Sequence, residues 1–199
     1  FTNYGTVTLR NSTLSGNMTP SAGGAVASPS GQINIIQSTL TSNQANDGGA
    51  IYSYDSPIDI KNSIVAGNVA NTNPDMRKSV SAMLSVTNSL IGRSDSTSLT
   101  PTGLTPGANG NLIGGTTTGT EIDPLLGPLT DNGGPMMTHA LLASSPAIDR
   151  GSNALATSSS NDQRGNPFVR ISNTTVDMGA IERQTLAASF FVVTTNTDE

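Results

Sequence analysis

Along the first half of the chain apolar and polar residues alternate in short bursts, with Val7 and Leu9, then Ile33 and Ile35, then Ile58 and Ile60. Alternation with period two predicts strands that bury one face. Each burst is followed at a fixed offset by one phrase: Asn11-Ser12-Thr13-Leu14-Ser15-Gly16-Asn17, Gln37-Ser38-Thr39-Leu40-Thr41-Ser42-Asn43, Asn62-Ser63-Ile64-Val65-Ala66-Gly67-Asn68, and in part Asn88-Ser89-Leu90-Ile91-Gly92. Its serines stand at 12, 38, 63 and 89, so the intervals are 26, 25 and 26. Gly23-Gly24-Ala25 returns 25 residues later as Gly48-Gly49-Ala50. Self-similarity at this interval marks a solenoid, in which no repeat buries its apolar face without a neighbour.

Stacking the repeats lays the alternating Val, Leu and Ile pairs over one another as an aliphatic column, and Leu14, Leu40, Val65 and Ile91 as a second. Between them Asn11, Gln37, Asn62 and Asn88 fall where the chain must turn a corner. Asn tolerates left-handed backbone there, and its amide is expected to bond its copy one coil away, about 4.8 Å distant, as a structural ladder. The other use of such a row is to read a glycan. Gly-Gly-Ala opens a further strand through Val26 and through Ile51-Tyr52-Ser53, the glycines supplying permissive backbone. Asn17, Asn43 and Asn68 close the motif strand ahead of a loop and belong to the same structural ladder. Three short strands per coil predict an all-β fold, a right-handed parallel β-helix of about four coils, the hand following the preference for right-handed crossovers. These repeats resemble the pectate-lyase-like superfamily of right-handed parallel β-helix proteins over residues 1–115.

Composition narrows the function. The chain is lean in apolar residues, at 34%, and only 12% charged, with Ser, Thr, Asn and Gly between Ile, Val and Leu runs, which favours stacked strands over disorder. Without cysteine there is no disulfide, thiolate metal site or cysteine nucleophile. A net charge of -5 and nine scattered Lys plus Arg give no basic stripe, so nucleic acid is not an expected partner. No apolar run approaches the roughly 20 residues of a membrane helix, so no membrane span is expected. Phe1-Thr2-Asn3-Tyr4 is neither a signal peptide nor an initiator Met, so a processed protein or a segment of a longer one is expected.

After Gly92 the period decays, and Gly103 to Gly119 reads as loops around Leu112-Ile113. There follow Asp123-Pro124-Leu125-Leu126-Gly127-Pro128-Leu129-Thr130-Asp131-Asn132-Gly133-Gly134-Pro135, Thr138-His139-Ala140-Leu141, Ser145-Pro146-Ala147-Ile148-Asp149-Arg150-Gly151, Asp162-Gln163-Arg164-Gly165 and Asp177-Met178-Gly179-Ala180-Ile181-Glu182. In this order they are similar to the choice-of-anchor Q region that follows β-helix repeats in bacterial secreted and surface proteins. The resemblance implies an exported, extracellular or cell-surface protein and does not imply an enzyme. Residues 116–183 are therefore expected to form an irregular capping region, a lid over the end of the β-helix. Leu125, Leu126, Leu129, Leu141, Leu142, Ile148 and Ile181 supply its apolar side, and Asp149, Asp162, Arg164, Asp177 and Glu182 tie its turns.

Candidate chemistry is sparse. His139 with Asp149 or Asp162 is one acid/base arrangement, but no serine elbow accompanies it, and a fixed hydrogen-bonding role is expected. No Asp/Asn-rich loop has calcium-ligand spacing, so no metal and no cofactor is assigned. Glycoside hydrolysis needs two carboxyls about 5 to 9.5 Å apart. Asp47, Asp55, Asp59 and Asp75 are the candidates, yet Asp59, facing out beside Lys61, stacks on Thr8 and Asn34, and no catalytic residue follows. Tyr52 and Tyr54, on one outer face, are the glycan-contact candidates.

Residues 184–199 form a linker and a β-strand tail ending in Phe190-Phe191-Val192-Val193 and a polar run. The tail is similar to the opening strand of modules named for a Cys-Ser-Leu-Arg-Glu-Ala motif. At about 1.5 to 3 kcal/mol per buried side chain, this strand gains several kcal/mol by docking. Phe190, Phe191, Val192 and Val193 are the expected assembly strand, added to the first coil of the next copy head to tail, with a further module of one long chain as the competing arrangement. The expected function is a structural extracellular subunit of a fibre, matrix or adhesin; the runner-up is a polysaccharide-binding or polysaccharide-cleaving β-helix.

Overall fold

The computed structural model describes residues 4–94 and 104–184. Its first coil holds β1 (Thr6–Arg10), β2 (Thr13–Ser15) and β3 (Val26–Ser28). The second holds β4 (Gln32–Ile36), β5 (Thr39–Thr41), β6 (Gln44–Asp47) and β7 (Ile51–Ser53). The third holds β8 (Ile58–Lys61), β9 (Ile64–Val65), β10 (Val69–Thr72) and β11 (Met76–Lys78), and the fourth β12 (Leu84–Thr87) and β13 (Leu90–Ile91). One further rung, β14 (Leu112–Ile113), and a hairpin of β15 (Leu126–Thr130) and β16 (Thr138–Leu141) follow. Equivalent strands pair in parallel, in the orders β1-β4-β8-β12, β2-β5-β9-β13-β14 and β3-β7-β11, so the chain is a parallel β-solenoid of about four turns.

The register is that of the repeat: Val7 lies over Ile33 and Ile58, and Leu14 over Leu40 and Val65. Ile33, Ile35, Leu40, Ile51, Ile58, Ile60, Val65 and Ile91 fill the interior without exposure. Val7, Leu9 and Leu14 of the first coil pack on them but stay half-buried. Three strands per coil proves too few. Residues 44–47 and 69–72 pair as a fourth sheet, because Asn43 and Asn68 turn the chain without ending it.

The corner residues have the left-handed backbone expected of them, with φ of 44°, 49°, 46° and 46° at Asn11, Gln37, Asn62 and Asn88. The serine after each locks the turn, its hydroxyl donating to the carbonyl two residues back at 2.7 to 2.9 Å. Each serine N–H then donates to the Oγ of the next coil, from Ser12 through Ser38 and Ser63 to Ser89, whose N–H meets Asn111 Oδ1 at 3.1 Å. Asn111 thus takes a serine's place ahead of β14, so Leu112-Ile113 is one more rung of the solenoid, and the register outlives Gly92.

Two expectations are corrected. The amides of Asn11, Asn62 and Asn88 do not bond one another; they face sideways and hold the C-terminal region. Asn88 Nδ2 donates to Arg150 O, Asn62 exchanges two bonds with the Ser152 backbone, and Asn11 Nδ2 donates to Asn161 O. Residues 150–161 therefore run back down the solenoid from its fourth coil to its first. The region is thus a cover on the flank, and the lid over the end is not what forms. It packs where the repeat phrase itself is apolar outward: Ile64, Ala66 and Leu90 meet Leu141, Ala147 and Met178. Leu126 and Ile148 pack against this cluster and Ile181 is buried, whereas Leu129 and Leu142 stay exposed at 42% and 47%. Gly179 makes the close approach possible: at φ 109° a Cβ there would sit 2.9 Å from Thr39 Oγ1.

Gln37 is the odd member of its column, fully buried with neither amide atom bonded. Burying an unpaired amide costs about 1 to 3 kcal/mol. Gln37→Met, nearly isosteric and without polar atoms, is expected to raise the melting temperature by roughly 2 to 6 °C in thermal unfolding.

Candidate functional site

The features that set this solenoid apart lie at its first coil, on its outer corner and beneath its cover. At the first coil β1, β2 and β3 are each the outermost strand of their sheet. Asn11 N–H donates onward to Ile36 O, and Gln32 and Thr39 N–H donate back to Gly5 O and Ser12 O. By the alternation of a parallel ladder, the N–H groups of Thr8, Arg10, Thr13 and Ser15 point away from the stack.

A side-chain ladder also reaches this face. Asn17 Nδ2 donates to Asn43 Oδ1 at 2.9 Å, Asn43 Nδ2 to Asn68 Oδ1 at 3.0 Å, and Asn68 Nδ2 to Asp75 Oδ1 at 2.9 Å. The backbone N–H of each Asn doubles the bond. Asn17, Asn43 and Asn68 are thus the residues that bond copy to copy. Asp75, 2% exposed, closes the ladder with a group that only accepts, its second oxygen taking Arg93 N–H at 2.7 Å. Nothing in the repeat phrase announces Asp75, which stands seven residues after Asn68 instead of a full coil later.

On the outer corner Tyr52 lies between Ala27 and Arg77 of neighbouring coils, and the Arg77 guanidinium sits 5.7 Å from the centre of its ring. Arg77 also pairs with Asp47, which accepts from Thr72 and Asn73 as well. These hydrogen bonds and the nearby charge hold the Asp47 carboxyl below its ordinary value against partial burial. Tyr54, 58% exposed, lies past the strand end. Asp59 pairs with Lys61 at 2.5 Å, and Asp55 accepts from Ser81. In the cleft of about 410 Å³ lined by Val69, Asp75, Arg93, Glu121 and Asp123, each carboxylate already accepts backbone N–H groups.

His139 meets neither Asp149 nor Asp162. Its Nδ1 donates to Gly127 O and its Nε2 shares a hydrogen bond with Ser15 Oγ, both at 2.8 Å. The carbonyl can only accept, so Nδ1 carries the proton of that bond. The pair joins the hairpin β15–β16 to β2 and so ties the cover to the first coil.

Inside the cover the carboxylates expected to tie turns do so. Asp162 forks with Arg164 and accepts Glu182 N–H, Asp177 accepts from Asp149 and Arg183, and Glu182 accepts from Ser172 and Asp177. Their common neighbour is Arg170, 1% exposed, which donates to Ala180 O and Asp177 O and lies 3.8 Å from Glu182. Its sequence setting, Phe168-Val169-Arg170-Ile171, carries no motif.

Burial raises the Asp177 carboxyl and pushes Glu182 up to about 7, more than their backbone donors and Arg170 hold them down. A carboxyl raised on folding stabilises the fold fully below its ordinary value near 4.5, and that contribution is lost as pH climbs through 7. The melting temperature is therefore expected to fall between pH 5 and pH 8, by an amount worth roughly 1 to 3 kcal/mol. Glu182→Gln should flatten this slope in the same calorimetric series.

No family model, curated protein or solved structure matches the chain. Among the described residues no helix is long and apolar enough to cross a membrane. The expected assembly strand, Phe190 to Val193, lies outside the described residues.

Proposed function

We propose that this chain is a structural module of an extracellular or cell-surface assembly, a fibre, matrix or adhesin, without catalysis, and that its first coil is the joint to the next β-solenoid. The observation that carries this reading is the unfinished first coil, where three strand edges and half-buried Val7, Leu9 and Leu14 lie together at one end of the stack. The resemblances to pectate-lyase-like repeats and to the choice-of-anchor Q region support export from a bacterial cell. The carboxylates of the outer faces are committed to neighbours, which fits scaffolding better than acid/base work. Immunogold labelling of source cells tests it, with label expected on the outer surface or in shed material. Label confined to the cytosol would overturn the proposal.

A polysaccharide-binding role is favoured by the outer corner, where Tyr52, Arg77 and Asp47 join an exposed amide pair, Asn71 Nδ2 donating to Asn46 Oδ1 at 2.7 Å. On that reading Arg77→Ala lowers retention on a polysaccharide affinity gel at least tenfold without changing the melting temperature by more than a few degrees.

A further inference from the structure

We infer that the first coil accepts a parallel β-solenoid coil that brings its own hydrogen-bond donors, an Asn amide facing Asn17 and a backbone N–H facing Ser12, and that this chain's own far end does not fit there. The inference rests on the reading of the first coil as a joint and adds the chemistry of what joins it.

Both corner ladders are polar. In the Asn ladder every bond from one corner side chain to the next runs the same way, from each coil to the following one, until Asp75 receives it. In the Ser ladder every N–H also donates in that direction, ending on Asn111 Oδ1. The first coil is therefore the accepting end of both. Among the described residues Asn17 Oδ1 accepts nothing, and Ser12 Oγ donates to Arg10 O while accepting nothing. The inner coils show what these atoms take when a coil lies beneath them: Asn43 Oδ1 receives both nitrogens of Asn17, and Ser38 Oγ receives Ser12 N–H.

A second copy stacked head to tail would present the other end of each ladder. Asp75 ends the Asn ladder inside the chain, 2% exposed, with its oxygens taken by Asn68 and Arg93, and Asn111 N–H and Nδ2 turn to Ala108 O and Val86 O. Asn17 Oδ1 and Ser12 Oγ would then meet no donor from either ladder. Two first coils meeting face to face would oppose acceptor to acceptor as well. A lone strand against β1 satisfies backbone groups but leaves both corner acceptors bare. A coil with Asn at the corner and a free N–H at the serine position satisfies all of them at once.

The test adds such a coil to the chain. A duplicate of residues 32–56 is placed ahead of Thr6 in place of residues 1–5, once with Asn at its copy of position 43 and once carrying Asn43→Asp in that copy. Hydrogen exchange is read at Thr8, Arg10, Thr13 and Ser15, with β5 and β9 reporting that the body stays folded. The Asn extension should slow those amides by about 100-fold or more and the Asp extension by less than about tenfold. A duplicate of residues 57–82, which carries Asn68 at the same place, repeats the comparison should the first extension fold poorly. Equal protection by Asn and Asp extensions, or protection by neither, would overturn the inference. So would protection of the unextended chain that grows with its own concentration, since its copies would then fit the face. None of these outcomes bears on where the protein resides, so the proposed function stands or falls separately.

Discussion

Asn43→Asp is expected to be the most damaging single-atom change in the solenoid. The Asn43 side chain is fully buried, and its Nδ2 donates to Leu14 O, Thr41 O and Asn68 Oδ1 at 2.9 to 3.0 Å. A carboxylate there keeps the bonds from Asn17 but turns an anion toward three acceptors that each lose the Nδ2 donor, Asn68 Oδ1 keeping only the Asn43 N–H. Each buried unpaired group costs about 1 to 3 kcal/mol, and the buried charge adds to that. A loss of roughly 5 kcal/mol follows, or about 10 to 20 °C in melting temperature for a chain of this size. The same residue type is at home at Asp75, because there the ladder needs only an acceptor. Calorimetry on Asn43→Asp beside Asp75→Asn checks this, both variants being destabilised and the first the more so.

Arg170→Met is expected to act on the cover instead of the stack. It leaves Glu182 and Asp177 buried without their cation and the carbonyls of Ala180 and Asp177 without a donor. Removing one partner of a buried ion pair typically costs about 3 to 5 kcal/mol. The cover holds to the solenoid through discrete points, among them Asn62 with Ser152, Gly179 with Asn62, and Ala180 with Thr39. Limited proteolysis should cut within residues 142–184 at least tenfold faster, with Ile64 and Leu90 then binding a hydrophobic dye. Unchanged cutting would mean that the ion cluster does not hold the cover.

The solenoid was legible in the sequence because stacking forces like onto like. The Ile pairs, the Leu14 to Ile91 column and the left-handed corners all repeat at one interval, and the register follows them. The fourth sheet escaped because residues 44–47 and 69–72 carry little alternation, being mostly polar and exposed. The course of the cover escaped for a different reason. Thr39, Ile64 and Leu90 point outward from the repeat phrase, and their rising apolarity from coil to coil was the available signal that this flank, and not an end, is buried. Lateral use of the corner amides was hidden, since Asn suits a left-handed corner whether it bonds its copy or a passing chain. Asp75 and Arg170 lay outside any periodic pattern, and only the third dimension brings them to their partners.

Native-state hydrogen exchange, resolved by residue on the unextended chain, tests the central claim of a stack open at its first coil and sealed along its flank. The account predicts fast exchange at Thr8, Arg10, Thr13 and Ser15, against slow exchange at Thr39 and Ile64, whose N–H groups donate to Ser12 O and Ser38 O. Slow exchange throughout residues 6–15 at low concentration would contradict the open coil, and fast exchange at Ile64 and Leu90 would contradict the sealed flank.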